Sequence, residues 1–215
     1  MDKSLKLSEK LFCLAVNSMK GGIYLNATAA ITMTLTGSVF VELKQKGFVF
    51  INRGMVHLVN PTIQSDEILE FFLNRLRLKN KDRRMRTWIM YFNGRGRKIR
   101  KLFIRNLVQK NVLQTEERRI LFFPYTKVFL KNHELVERIR KDVENALIGS
   151  SVLSDDLLIL AVMAAKTNLL RRIFPDNVRR KLALRNLKKL PETEISKAVH
   201  EAIEMMHTSI YAAVT

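Results

Sequence analysis

The chain has one cysteine in 215 residues, so it holds no intramolecular disulfide and gives no sign of an oxidising compartment. Cys13 lies inside the apolar run Leu11-Phe12-Cys13-Leu14-Ala15-Val16, where a thiol is expected to be buried as a small hydrophobe. Four prolines and eight glycines leave no linker rich in Pro, Gly or Ser and no low-complexity tract. That sparseness favours a single domain over residues 1–215. Long apolar runs are missing too. The longest, Leu157 to Ala165, is bounded by Asp155, Asp156 and Lys166 and falls well short of the roughly 20 residues that span a bilayer. The N-terminal run is too short and too mixed with charge for a signal peptide. These absences predict a cytoplasmic protein whose contact with any membrane is peripheral.

Catalytic and metal-binding patterns are scarce as well. His57, His133, His200 and His207 fall at no metal-ligand spacing. His200-Glu201 opens like a zinc-protease motif, but the position four after His200 is Glu204, so the second ligand is lacking. There is no Walker loop, dinucleotide fingerprint or nucleophile elbow, and Gly94-Arg95-Gly96 is too short to cradle a phosphate. The reading is a binding protein, not an enzyme, without cofactor or metal.

Acidic residues are the last shortage. Twenty Asp and Glu face thirty-eight Lys and Arg, leaving +18. A charge this large repels itself in the compact state, so its retention points to a negative partner: nucleic acid, an anionic membrane or an acidic protein. The excess is local. From Arg75 to Arg105 thirteen basic residues meet one acid, Asp82, a net +12. A second basic cluster runs from Lys166 to Lys189.

Helical periodicity dominates what is present. A helix is predicted from Ala27 to Lys46, with Ile31, Leu35, Val39 and Leu43 at helical spacing and a stop at Gly47. A hairpin follows, with arms at Phe48–Ile51 and Met55–Val59 about the turn Asn52-Arg53-Gly54. Ser65 is expected to cap a helix burying Ile68, Leu69, Phe72 and Leu76. Asp82 is expected to open another, carrying Met85, Trp88, Ile89 and Phe92. Residues 97 to 111 read as an amphipathic helix with Ile99, Leu102, Phe103 and Leu107 inward.

A second hairpin is predicted, with arms Ile120–Phe123 and Val128–Leu130 and its tip at Pro124–Lys127. Its apolar residues come in a run instead of alternating. The hairpin is therefore either buried between helices or exposed at its tip for another surface, ringed by Arg118, Arg119 and Lys127. Further helices are predicted at 132–148, 155–173, 176–189 and after Pro191, where Ile195, Val199, Ile203, Met206 and Ile210 share a stripe. The Leu157–Ala165 stretch, apolar nearly all round, is taken as the central buried helix. The fold class is mainly α: a helical bundle with small β-hairpins, whose two helix-plus-hairpin units give winged-helix-like elements in the first two thirds.

Two arginines stand out within the basic segment. Arg97 and Arg100 lie three residues apart on one predicted helix, so both can face a single phosphate from adjacent turns. Their planar guanidinium forks suit phosphate oxygens. Arg95, Lys98, Lys101 and Arg105 form the supporting basic patch.

The order of several segments resembles the Golgi phosphoprotein 3 family. The resemblance is carried by Leu5-Lys6-Leu7-Ser8-Glu9-Lys10-Leu11-Phe12, by Gly37-Ser38-Val39-Phe40-Val41-Glu42-Leu43, and by the stretch from Arg105 to Glu116 (RNLVQKNVLQTE). Leu157-Leu158-Ile159-Leu160-Ala161 resembles the family's buried helix. It implies a mainly helical protein, peripheral on membranes, that binds phosphatidylinositol 4-phosphate and acts as an adaptor for cytoplasmic tails of membrane enzymes. The family's headgroup pocket uses two arginines three apart, which fall on Arg97 and Arg100, and a Trp and an Arg, which fall on Ala27 and Thr36. The membrane-inserting hairpin of the family corresponds to Ile120–Leu130, with Leu121, Phe122, Phe123, Tyr125, Val128 and Phe129 as inserting residues. Beginning almost at the domain itself, the chain resembles a compact, prokaryote-type member. The expected partner is an anionic phospholipid membrane, with membrane-enzyme tails and a second copy of the chain as further candidates. A nucleic-acid-binding winged-helix-like protein is the alternative reading.

Overall fold

Every residue from Ile31 to Leu43 is buried, and this stretch forms most of the helix α2, Ile31–Gln45. A helix carrying Thr32, Thr34, Thr36 and Ser38 can be buried all round because its hydroxyls bond its own backbone. Thr36 Oγ1 donates to the Thr32 carbonyl at 2.8 Å, and Ser38 Oγ to the Thr34 carbonyl at 2.9 Å. The all-buried helix is thus α2 and not the Leu157–Ala165 segment, where Leu157, Leu158, Ile159 and Val162 are only half-buried.

The computed structural model describes residues 5–59, 62, 66–79, 81–120, 122–149, 154–189, 193, 194, 197 and 200. The chain is mainly helical and divides into two compact units, Met1–Ile31 with Phe103–Leu190, and Thr32–Leu102 with Pro191–Thr215. The predicted stripe from Ile195 to Ile210 lies outside the described residues.

In the second unit, β1 (Val49–Asn52) and β2 (Met55–Leu58) pair antiparallel, with Asn52 opposite Met55. The two turn residues, Arg53 and Gly54, both have positive φ, 49° and 73°, the backbone of the tight turn that matches strand twist. A short third strand, β3 (Arg83–Arg84), pairs with β2. This corrects the expectation that Asp82 opens a helix: its carboxylate lies 2.7 Å from His57 Nδ1, and the helix α4 begins only at Met85 and runs to Asn93. Helix α3, Glu67–Lys79, is capped by Asp66, whose carboxylate accepts from the Ile68 and Leu69 N–H groups at 3.0 Å. Ser65, the predicted cap, lies outside the described residues. The core here is aromatic. The Phe72 and Phe92 rings sit 4.2 Å apart, Phe40 meets both at 6.2 Å, and Trp88 stacks on Phe92 at 6.0 Å.

Helix α5, Gly96–Gln109, contains one of the three boundaries between the units, and α2 contains another. In the first unit α1, Leu7–Ala15, packs with α6, His133–Ile148, and α7, Asp155–Lys166. Helix α6 also meets α8, Leu170–Ile173, and α9, Asn177–Leu187. The predicted single helix from 155 to 173 is broken because Asn168 turns into the left-handed region at φ 60°. Arg140 ties this end together. Its guanidinium donates to Glu144 at 2.9 Å, to the Ile173 carbonyl at 2.7 Å and to Glu137 at 2.6 Å, and that bond holds the Glu137 carboxyl below its ordinary range. Cys13 is fully buried, and burial, aided by the Glu9 carboxylate, pushes its thiol pKa up.

The second hairpin is longer than predicted. Strand β4, Leu113–Ile120, pairs with β5, Phe123–Leu130, in a register that sets Ile120 opposite Phe123. The tip therefore falls at 121–122 and not at 124–127. Its base is held by the loop after α1: Gly22 N–H donates to the Val128 carbonyl at 2.6 Å. Gly21, at φ 66°, lies so close that a Cβ would sit 2.5 Å from Phe129 Cε1 and 2.8 Å from the Val128 carbonyl oxygen. Gly21→Ala is expected to lower stability by about 2–3 kcal/mol, through the left-handed backbone and the clash together. Gly22→Ala, with positive φ but nothing within 4 Å, is expected to cost only about 1 kcal/mol. Urea unfolding of both variants checks the difference, and equal losses would contradict it.

Candidate anion-binding surface

The candidate site starts from how α5 begins. Helix α4 ends at Asn93, and Gly94 and Arg95 make the turn. Gly96 then brings the new helix tight against α2, since a Cβ there would lie 2.8 Å from Thr32 Oγ1. Ile99 and Phe103 are fully buried and Leu102 nearly so, as their spacing predicts, which fixes the rotation of the helix. The opposite face then presents Arg97, exposed, and Arg100, half-exposed. Residues three apart on a helix are surface neighbours, about 5–6 Å between Cβ atoms.

Electrostatics make this arrangement unusual. The first turn of α5 carries no acidic residue, although the positive end of a helix dipole favours acids there and disfavours cations. Arg97 and Lys98 occupy it instead. Among the described residues neither Arg97 nor Arg100 has a hydrogen-bond or ion-pair partner. Two guanidinium groups on adjacent turns near a helix start thus offer donors of the kind an anion needs.

The rest of the predicted patch divides. Arg95 is engaged: its guanidinium lies 3.7 Å from the Tyr91 ring centroid and donates to the Tyr91 carbonyl at 2.9 Å. Lys98 Nζ stands 5.3 Å from the Phe71 ring. Lys101 and Arg105 are exposed and add to the positive field. Ala27 and Thr36, which stand where the resemblance placed a Trp and an Arg, are both fully buried. Neither presents anything to a ligand.

The ribbon of β4 and β5 is open over its outer part. Residues 114–119 are exposed on both faces, so the hairpin is not enclosed between helices. Phe122 at the tip is 93% exposed and Tyr125 39%. Arg118 is ion-paired with Glu116 at 2.8 Å, and that bond raises its pKa. Val128 is buried and Phe129 half-buried. The structure therefore removes Val128 from the inserting set: it anchors the base of the ribbon. Leu121 lies outside the described residues, as does the side chain of Phe123.

Sequence reasoning missed two other residues of the first unit. Met19, 90% exposed, lies on the loop that docks on β5 through Gly22, and Leu25, 91% exposed, opens the short 3-10 turn Leu25–Ala27 that follows it. The signal was the Gly21-Gly22 pair, which marks a loop and hence leaves its apolar neighbours without a helix face to bury.

Among the described residues no helix is long and apolar enough to cross a membrane. A match to the Golgi phosphoprotein 3 (GPP34) family extends over residues 7–206, and this range takes in every helix and strand given above, so the chain belongs to the Golgi phosphoprotein 3 family.

Proposed function

We propose that this protein is a peripheral membrane-binding adaptor. Arg97 and Arg100 hold an anionic phospholipid headgroup, Lys98, Lys101 and Arg105 supply the longer-range attraction, and the tip of the β4–β5 ribbon inserts. The family is one of membrane- and lipid-associated adaptors. The observation that carries the reading is the pair Arg97 and Arg100 on the first two turns of α5, neither with a hydrogen-bond or ion-pair partner among the described residues. Phosphatidylinositol 4-phosphate is the headgroup that family membership favours. The buried Ala27 and Thr36 take away the other half of the family's pocket, so selectivity rests on the arginine pair and on surface charge. Cytoplasmic tails of membrane enzymes are the protein partners that suit such an adaptor.

The insertion half of the proposal rests on exposed apolar side chains that gain by leaving water, flanked by cations that meet headgroups. Phe122, Met19 and Leu25 are the three most exposed large apolar residues described, and Lys20 and Lys127 lie beside two of these segments. Flotation with vesicles tests the function: binding should require anionic lipid, rise with phosphatidylinositol 4-phosphate, and survive a duplex DNA competitor. Equal binding to neutral and acidic vesicles, or complete displacement by DNA, would overturn it. Phe122→Asp is expected to weaken partitioning about tenfold or more, from loss of a buried aromatic side chain worth roughly 1.5–3 kcal/mol, while leaving thermal stability unchanged.

A further inference from the structure

A second cluster of cations in the second unit is separate from the α5 pair. Arg53, Arg84, Arg86 and Lys197 line one open cavity of about 380 Å³, together with Gly54 and Glu194. These side chains come from three places in the chain: the β1–β2 turn, the start of α4, and the segment near 194–197. The backbone holds two of those places in register. Met55 of β2 pairs with Arg84 of β3, and Met85 N–H donates to the Gly54 carbonyl at 2.7 Å. Arg53 and Arg84 are therefore set on a fixed frame and not on free loops. Among the described residues of the lining the one acid is Glu194, whose Oε1 accepts from the Gly54 N–H at 2.9 Å. Four cations against one carboxylate leave this described lining at +3.

Arg53 has a further peculiarity. It occupies a left-handed turn position at φ 49°, where Gly, Asn or Asp is favoured and another side chain costs about 1–2 kcal/mol. The neighbouring Asn52, one place earlier, would have suited that position better. Neither Arg53 nor Arg84 has a hydrogen-bond or ion-pair partner among the described residues. Local stability thus gives no reason for an arginine here, whereas a ligand does. Arginine forks match the tetrahedral oxygens of phosphate.

We infer that this cavity is a second anion site, taking a phosphomonoester dianion through Arg53, Arg84, Arg86 and Lys197. The phosphate can belong to a lipid headgroup or to a soluble phosphorylated compound, and the two sources are separable by experiment. Titration of the full chain with inorganic phosphate at constant ionic strength, followed by the backbone amide signals of Gly54 and Met85, should show a saturable shift. Arg53→Gly, which suits the turn backbone and so keeps the fold, should weaken that binding at least fivefold. Arg84→Gln should do the same, and the double variant should lose saturation.

Arg97→Glu/Arg100→Glu should leave the titration at Gly54 and Met85 unchanged, so this site stands or falls apart from the α5 pair. Vesicles carrying phosphatidic acid, a phosphomonoester, are then compared with phosphatidylglycerol vesicles of equal charge. A preference for the former that Arg53→Gly abolishes assigns the phosphate to a lipid. Saturable inorganic phosphate binding without that preference assigns it to a soluble compound. The absence of a saturable shift at Gly54 and Met85, or an unaltered titration in Arg53→Gly, would overturn the inference.

Discussion

Replacing Arg97 and Arg100 together by glutamate is expected to lower partitioning onto anionic vesicles by nearly a thousandfold. A Lys or Arg near an anionic surface is worth about 1 kcal/mol. The double reversal removes two such attractions and installs two repulsions, about 4 kcal/mol in all, and about 1.4 kcal/mol corresponds to each factor of ten. The neutral pair, Arg97→Gln/Arg100→Gln, should fall by roughly thirtyfold on the same arithmetic. Residual binding should also depend less steeply on salt, because fewer surface charges remain to be screened.

Loss of fold would not explain that result, and the sign of the helix dipole shows why. Glutamate at position 97 places an acid in a first turn that has none, which favours the helix by about 0.3–1 kcal/mol. Neither arginine has a partner among the described residues, so no ion pair is broken. The reversed protein should therefore unfold at a temperature equal to or slightly above that of the native chain while losing its membrane affinity. A drop in affinity smaller than tenfold would remove the arginine pair as the headgroup site. Equal losses on removing Lys101 and Arg105 would reduce the α5 surface to a diffuse field without a seat for one phosphate.

That pair was legible in the sequence because it depends on one helix alone. The 3.6-residue period that buries Ile99, Leu102, Phe103 and Leu107 fixes where Arg97 and Arg100 must go, and the structure keeps that assignment. What needed the tertiary fold was less visible. Helix α2 did not read as the all-buried helix because its Thr and Ser residues look like surface residues until their hydroxyls are seen bonding carbonyls four residues back. The outer strand of the second hairpin was hidden by Glu116, Glu117, Arg118 and Arg119, charges that suit an exposed ribbon and carry no alternation. Strand β3 is two arginines long and exists through its pairing with β2, so no local signal marked it. Arg95 reads like its neighbours in the basic segment, and only the stacking on Tyr91 shows that it supports the turn. In each case a local pattern was overridden by a partner distant in sequence.

The largest stability effect is expected at a charge that takes no part in ligand binding. Glu9 is fully buried. One of its oxygens meets Lys110 Nζ at 2.5 Å and the other accepts from the Lys6 N–H at 2.9 Å. It is thereby both the reciprocal half of the N-terminal cap of α1 and the counter-charge of a lysine just beyond α5. Lys110→Met keeps the aliphatic stem and removes the ammonium, leaving a buried carboxylate with a single neutral donor. Breaking one side of a buried pair in this way costs about 3–5 kcal/mol, a large share of the roughly 5–15 kcal/mol that holds a domain folded. The double variant Glu9→Gln/Lys110→Met should recover most of the loss, because the neutral amide oxygen still accepts from Lys6 N–H and no charge is left without a partner. Chemical denaturation of the two single variants and the double variant measures the coupling. If Lys110→Met loses less than about 1 kcal/mol, solvent reaches Glu9 in the folded protein and the pair is not what anchors α1. If the double variant is no better than the single, the loss comes from packing and not from the orphaned charge.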